Sequence, residues 1–243
     1  MKRGTLGKLA VVAAVGGAAF EIERRRLVRM RDRDPAWHEL NQRLEGRSLE
    51  ATSADGTRLH VEVFGSDGAP TIVFIHGWLE TIRLWHHQIR DLSRDFRIVA
   101  YDQRGHGESD APRGEAYTDE ALSDDLQAVL DACVPHNTQC LVAGHSMGGM
   151  TIVAWAGRHP SQVQRLTVPT LVIGGELDLL LPIWHSEALA ATLPKLVDYA
   201  ELPGVGHMAM LEAPEEVTPR IGRLARACLM ATVPPIRSEA ASA

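Results

Sequence analysis

The segment Cys140-Leu141-Val142-Ala143-Gly144-His145-Ser146-Met147-Gly148-Gly149 constrains this chain more than any other. A short β-rich run leads into Gly-x-Ser-x-Gly, and an apolar run of helical length, Met147–Arg158, follows. At a strand-to-helix junction this pattern forms a nucleophile elbow. The turn is so tight that the residues two before and two after the serine must lack bulk, and the hydroxyl is left exposed at the helix N-terminus. Gly149 extends the permissive stretch. The competing reading is an ordinary turn in which the serine caps the helix.

The elements around the elbow set the fold class. Ser48–Ala54 and Thr57–Phe64 alternate as half-buried strands do, with Asp55-Gly56 as the hairpin turn between them. Strand-like and helical runs then take turns: strand Thr71–Ile75, helix Leu84–Arg94, strand Arg97–Asp102, and helix Thr118–Ala132 with Leu122, Leu126, Val129 and Leu130 on one face. Strand Leu141–Ala143 precedes Met147–Arg158, which is apolar nearly all round and therefore expected to be buried. Strand Thr170–Gly174, helix Ile183–Leu193, strand Leu196–Leu202 and a last helix from about Pro214 to Cys228, carrying Pro219 and Gly222, complete the series. The alternation predicts an α/β fold, a mostly parallel central sheet with helices on both faces.

The flanks read differently. Residues 1–33 hold nine Lys/Arg against three acids, whereas the other 210 residues hold sixteen against twenty-eight, so a basic arm precedes an acidic body. The arm carries an apolar run from Leu9 to Phe20, about 18 Å as a helix and short of a bilayer core of roughly 30 Å. It suits a cytoplasmic anchor, a helix lying at a membrane interface, or a helix docked on the domain; a plain solvated tail is the alternative. Residues 34–47 read as a linker with one short helix, 48–231 as the core and 232–243 as a disordered tail. An acidic body with 5% aromatics argues against nucleic-acid binding, and 45% hydrophobic residues argue against disorder. Cys133, Cys140 and Cys228 show no metal-ligand spacing and favour packing roles in a reducing compartment.

A serine hydroxyl is a weak nucleophile at neutral pH. It needs a base to take its proton and an acid to hold that base in the right tautomer. His207, in Gly204-Val205-Gly206-His207 after the last strand, is placed to be the base; His76, His106 and His145 sit inside other motifs, where structural hydrogen bonding is expected. The acid belongs after a late strand, where Glu176-Leu177-Asp178 offers Asp178 ahead of Glu176. The oxyanion calls for two aimed backbone N–H groups, one from Met147 and one from Trp78 in His76-Gly77-Trp78. Trp78 and Leu79 also suit a packing role.

With these motifs in place the chain resembles the α/β-hydrolase superfamily, in particular the lipase- and prolyl-aminopeptidase-like branch called alpha/beta hydrolase fold 1. The resemblance rests on His76-Gly77-Trp78, Asp102-Gln103-Arg104-Gly105-His106-Gly107-Glu108-Ser109, Gly144–Gly149, the Gly175-Glu176-Leu177-Asp178…Pro182 segment and Gly206-His207, and spans about Ser48 to Leu229. It implies a Ser146-Asp178-His207 triad, in which the Asp102–Ser109 loop braces the site without taking a catalytic step. No metal or organic cofactor is implied.

The resemblance also marks what this chain lacks. The family continues after the elbow helix with a sixth strand and a helical cap, yet only 32 residues separate Ser146 from Asp178. An empty slot in a parallel sheet leaves backbone groups unpaired, at about 1–3 kcal/mol for each buried one, so the gap is expected to close. Thr170–Gly174 would then take the sixth position and Leu196–Leu202 the seventh. That would carry both loops about 4.8 Å nearer the serine and leave His207 the member most at risk of misplacement. Without a cap, Ser146 is expected in an open groove edged by Trp78, Leu79, Met147, Leu180 and Met208. The leading expectation is a serine hydrolase acting on a small-molecule or lipid-like carboxylic ester. Carbon–carbon bond hydrolysis, amide hydrolysis and cofactor-free perhydrolysis share the fold, and a catalytically impaired ligand-binding or membrane-associated protein is the non-enzymatic reading. A haloalkane dehalogenase is disfavoured, because Ser146 stands where its nucleophile would be Asp.

Overall fold

The computed structural model describes residues 24–114, 116–136, 138–160, 169–193 and 195–230. The apolar run 9–20 and the tail 232–243 lie outside them, as does the connection 161–168. The chain divides into two units, Met1–Arg43 and Leu44–Ala243. In the first, residues 24–33 are helical (α1) and Pro35–Leu40 form α2, started by Asp34, whose carboxylate accepts the Ala36 N–H at 3.0 Å. No helix among the described residues is long and apolar enough to cross a membrane.

The second unit is built on a five-stranded sheet of β1 (Arg47–Thr52), β2 (Arg58–Phe64), β3 (Thr71–Ile75), β4 (Arg97–Tyr101) and β5 (Cys140–Gly144). Their order is β1-β2-β4-β3-β5. The predicted hairpin is β1–β2, with Gly56 at φ +85° in its turn. β2 pairs antiparallel with β4, and β4, β3 and β5 run parallel, with Ile75 level with both Tyr101 and Gly144. That register brings the loops leaving β3, β4 and β5 to one edge of the sheet.

Every residue of β3 and β4 is buried, and their side chains divide between the faces with the period of two that a pleated strand imposes. Ile72, Phe74, Ile98 and Ala100 face one core with Ile89 and Leu92 of α3 (His86–Leu92). Val73, Ile75, Val99 and Tyr101 face the other with Leu126 and Val129 of α4 (Asp119–Cys133) and Trp155 of α5 (Met147–Arg158). The helix expected over Leu84–Arg94 begins instead as a 3-10 turn, Ile82–Trp85, before α3. Arg104 fixes the loop after β4: its guanidinium forks onto Asp125 of α4 at 2.7 and 2.6 Å and reaches Asp55, Ser53 and the Ala116 carbonyl.

Two expectations fail on the far side of β5. First, β6 (Thr170–Gly175) and β7 (Leu196–Leu202) do not extend the sheet; they pair with each other, parallel, as a separate two-stranded sheet. The reason lies in the premise about cost. All five residues of β5 are only half-buried, so its outer edge reaches water and the penalty for unpaired buried groups does not apply. Meanwhile Ala200 and Leu202 of β7 are committed to the same core as Phe74. They are joined there by Ala209 and Met210 of α7 (Ala209–Glu212) and by Val217, Ile221 and Ala225 of α8 (Pro214–Leu229), which packs against both β5 and β6. Closing the gap would pull this core apart.

Second, α5 is not buried all round. Only Gly148, Thr151 and Trp155 are buried, and Met150 and Val153 are about 60% exposed. With β6 set apart, α4 covers one flank of α5 and the opposite flank meets solvent. The helix α6 (Trp184–Thr192), between β6 and β7, buries Ala190 alone. α8 runs unbroken through Pro219.

Candidate active site

Ser146 sits at the turn from β5 into α5 with φ 49° and ψ −116°, a conformation that non-glycine residues adopt at a cost of about 1–3 kcal/mol. The flanking glycines explain how the chain makes the turn. A Cβ on Gly144 would lie 2.4 Å from the Gly148 carbonyl oxygen, and one on Gly148 would lie 2.4 Å from that of Ile75. Ser146 makes no capping hydrogen bond to the helix it precedes, which removes the capping reading. Its hydroxyl has no hydrogen-bond partner among the described residues.

On the other sheet, the loops after β6 and β7 bring Asp178 and His207 together, with Asp178 Oδ2 2.7 Å from His207 Nδ1. Asp178 Oδ1 accepts the N–H groups of Leu180 and Leu181 at 2.9 and 2.8 Å. Burial pushes the Asp178 carboxyl up, but the Leu181 N–H, the His207 bond and the Leu180 N–H outweigh it and hold the group below the usual carboxylate range. Since the carboxylate only accepts, Nδ1 carries a proton, and Nε2 is the ring nitrogen turned away from Asp178. Glu176, the other acidic candidate, accepts the Gly204 N–H at 2.8 Å and shapes the His207 loop instead. The structure brings Asp178 and His207 together; it does not hydrogen-bond His207 to Ser146. The two loops nevertheless touch, because the His207 carbonyl oxygen lies 2.9 Å from Nε2 of His145, the residue before the serine, and the two imidazole rings are 4.6 Å apart.

The loop after β3 lies against the elbow, close enough that a Cβ on Gly77 would be 3.3 Å from that of Ser146. Neither the Trp78 N–H nor the Met147 N–H, the two expected oxyanion donors, is engaged by another described residue. The loop is held from behind. His76 donates from Nδ1 to the Gly77 carbonyl at 2.6 Å and accepts the Gln103 N–H at 2.9 Å; burial keeps its ring from charging. His106 accepts the Leu79 N–H at 3.1 Å, and Asp102 takes the N–H groups of Ile82 and Glu108, both at 2.9 Å. Leu79 adopts φ 60°, and Trp78, Leu79 and Leu180 are all about 70% exposed or more. Of the other two predicted groove residues, Met147 is half-buried and Met208 packs against the core.

Two residues of this edge escaped the sequence reading. Glu212 accepts the N–H groups of Gly206 and Met208, at 2.7 and 2.9 Å, and so grips His207 from both sides. Glu80 accepts the Gly77 N–H at 2.8 Å and faces His145 Nδ1 at 3.2 Å. Only the spacing of Glu80, three residues beyond Gly77 as in a capping box, resembles a known local pattern; Glu212 reaches back six and four residues and matches none. Among the described residues no group of His, Cys, Asp and Glu could hold a metal ion.

The sequence profile of the alpha/beta hydrolase fold family matches residues 70–168. Mouse epoxide hydrolase 4 is 37% identical over 116 residues, 46% of this chain and 31% of that enzyme. The 3-oxoadipate enol-lactonase 1 of Acinetobacter baylyi is 35% identical over 113 residues, 46% of this chain and 41% of that enzyme. The chain thus spans less than half the length of either. Among solved structures, a thermophilic esterase from Thermogutta terrifontis is similar in fold, with a TM-score of 0.66 and 21% identity over 76% of this chain and 100% of that one.

Proposed function

We propose that this chain, a member of the α/β-hydrolase superfamily, cleaves carboxylic esters through an acyl-enzyme on Ser146. The observation that carries the reading is the Ser146 hydroxyl, presented by a strained backbone and free of any bond to a described residue, beside two unused N–H groups at Trp78 and Met147. His207 Nε2 takes the Ser146 proton, Oγ adds to the ester carbonyl, and the N–H groups of Trp78 and Met147 receive the oxyanion. The proton passes from His207 to the leaving alcohol, and water repeats the sequence on the acyl-enzyme. Asp178 stays ionised and holds the His207 ring. The His207–Ser146 hydrogen bond must form when substrate arrives, as catalytic bonds that are open in a free enzyme tighten in the complex.

The epoxide hydrolase relative suggests a different substrate, and the chemistry of serine argues against it. Serine attack on an epoxide yields an alkyl ether, which water does not cleave, whereas attack on an ester yields an acyl group that it does. The exposed rim of Trp78, Leu79 and Leu180 favours short activated esters, bound weakly and with little selectivity. A lipid-like ester presented at a membrane, met through the basic arm, is the corresponding natural setting; deleting residues 1–33 then moves the chain from a membrane fraction to the soluble one without changing its rate. The direct test is a fluorophosphonate probe with a p-nitrophenyl acetate assay. Labelling and turnover that both vanish in Ser146→Ala support the reading, and labelling that persists refutes it.

A further inference from the structure

His145 is buried between two acceptors. Its Nδ1 faces the Glu80 carboxylate at 3.2 Å and its Nε2 faces the His207 carbonyl oxygen at 2.9 Å. A neutral imidazole has one N–H and satisfies one of these; two N–H groups satisfy both. The same Glu80 oxygen takes the Gly77 N–H. Three loops therefore meet on one pair of side chains: the oxyanion loop through Gly77, the elbow through His145 and the base loop through the His207 main chain. They meet where the sheet is broken, since no strand pairing joins β5 to β6.

We propose that His145 is an imidazolium paired with Glu80, and that this ion pair clamps the His207 backbone to the nucleophile elbow across the break in the sheet. The charge is balanced locally. Around the His145 ring stand the Glu80 carboxylate, the uncharged His76 ring beyond Gly77, and His207 with its carboxylate partner Asp178. Burial pushes the Glu80 carboxyl up, but the bond from His145 and the Gly77 N–H bring it below its ordinary value, so Glu80 is the anion the pair requires. Glu80 and His145 are positioning residues. They touch no reacting atom and act by fixing where His207 and the Trp78 N–H stand relative to Ser146. The catalytic half of the proposal rests on the ester-hydrolase reading; the charge state of His145 does not.

The first measurement is nitrogen-15 NMR of the full chain with labelled histidines at neutral pH, with His145 assigned by its disappearance in His145→Gln. Protons on both ring nitrogens support the clamp, and a spectrum with one bare nitrogen overturns it whatever the activity. In Glu80→Gln the His145 ring should drop to a single proton. The rate of Ser146 labelling and kcat for p-nitrophenyl acetate should then fall about 10- to 100-fold, the size expected for misplacing a catalytic group by roughly 1 Å, with KM within about two-fold. His145→Gln, whose amide N–H still reaches the His207 carbonyl, should keep more activity than His145→Ala. Equal rates in wild type and Glu80→Gln, with both folded by circular dichroism, overturn the positioning role. If the wild-type chain shows the doubly protonated ring yet neither labels nor turns over ester, the hydrolase reading fails and the ion pair stands.

Discussion

The five-stranded sheet and the β6–β7 pair contribute to the same site but are built to different standards. In the first, β3 and β4 are buried at every residue and the loops they launch are braced by His76, Gln103, Asp102 and Arg104. In the second, β7 buries only Ala200 and Leu202, and three of the six residues of β6 are half-buried. Ser146 and the Trp78 and Met147 N–H groups, the proposed nucleophile and oxyanion donors, sit on the rigid half, and Asp178 and His207, the proposed acid and base, on the looser one. Beyond the core that Ala200 and Leu202 share with Phe74, the loops of the looser half are pinned by side-chain hydrogen bonds from Glu212, Glu176 and Asp178.

The sharpest way to break this contrast is at the chemistry. Ser146→Ala should reduce ester turnover by about 10⁶-fold, while the melting temperature holds or rises as the hydroxyl leaves. His207→Ala and Asp178→Asn should also cripple it, and the triple variant should be little worse than the worst single one, as the proposed triad requires of residues acting as a unit. Additive losses would mean the two halves work independently.

Stability comes next. Phe74→Ala, in the fully buried β3, should cost about 3–5 kcal/mol in urea unfolding. Arg104→Met should cost a similar amount, about 3–5 kcal/mol, because it strands Asp125 in a buried site. Val172→Ala in β6 should cost about 1–2 kcal/mol, since it removes two buried methyl groups and the strand around it is only half-buried at three of six residues. Equal costs in β3 and β6 would erase the distinction between the halves.

Acid should weaken the loops at the candidate site first. Asp178 and Glu80 are both held below the usual carboxylate range, so the unfolded chain takes up protons before the folded one does. Their contribution to stability is complete above that range and is lost as pH falls through their lowered folded values. Asp178→Asn should therefore flatten the fall in urea midpoint on acidification, and an unchanged slope would show the pair contributes nothing. The smallest effect belongs to the exposed flank of α5, where Met150→Ser and Val153→Ser should change stability by no more than about 0.5 kcal/mol.

Much of the rigid half was legible in the sequence. Gly144, Ser146 and Gly148 specify a turn that admits few backbones, and the alternation along the β1–β2 hairpin marks its strands, while β3 reads as a short β-rich run. The pairing of Asp178 with His207 also follows from strand order, since both lie at strand ends of one polarity. What stayed hidden depends on neighbours. The separation of β6 from β5 is set by how well Ala200, Leu202 and Met210 pack on Phe74 compared with a ladder that water partly replaces, and no local pattern encodes that balance. The exposure of Met150 and Val153 follows from the same event. Glu80 and Glu212 went unread because carboxylates that serve backbone N–H groups look, in sequence, like any solvated acid.

The apolar layer shared by Phe74, Leu202, Met210 and Ile221 has a thermodynamic corollary. Two sheets joined by no strand pairing would ordinarily melt as two bodies, yet these draw on one hydrophobic reservoir through α8, so neither retains its enthalpy once the other lets go. Calorimetry of the unit Leu44–Ala243 should give a single peak whose van't Hoff and calorimetric enthalpies agree, the mark of one cooperative transition.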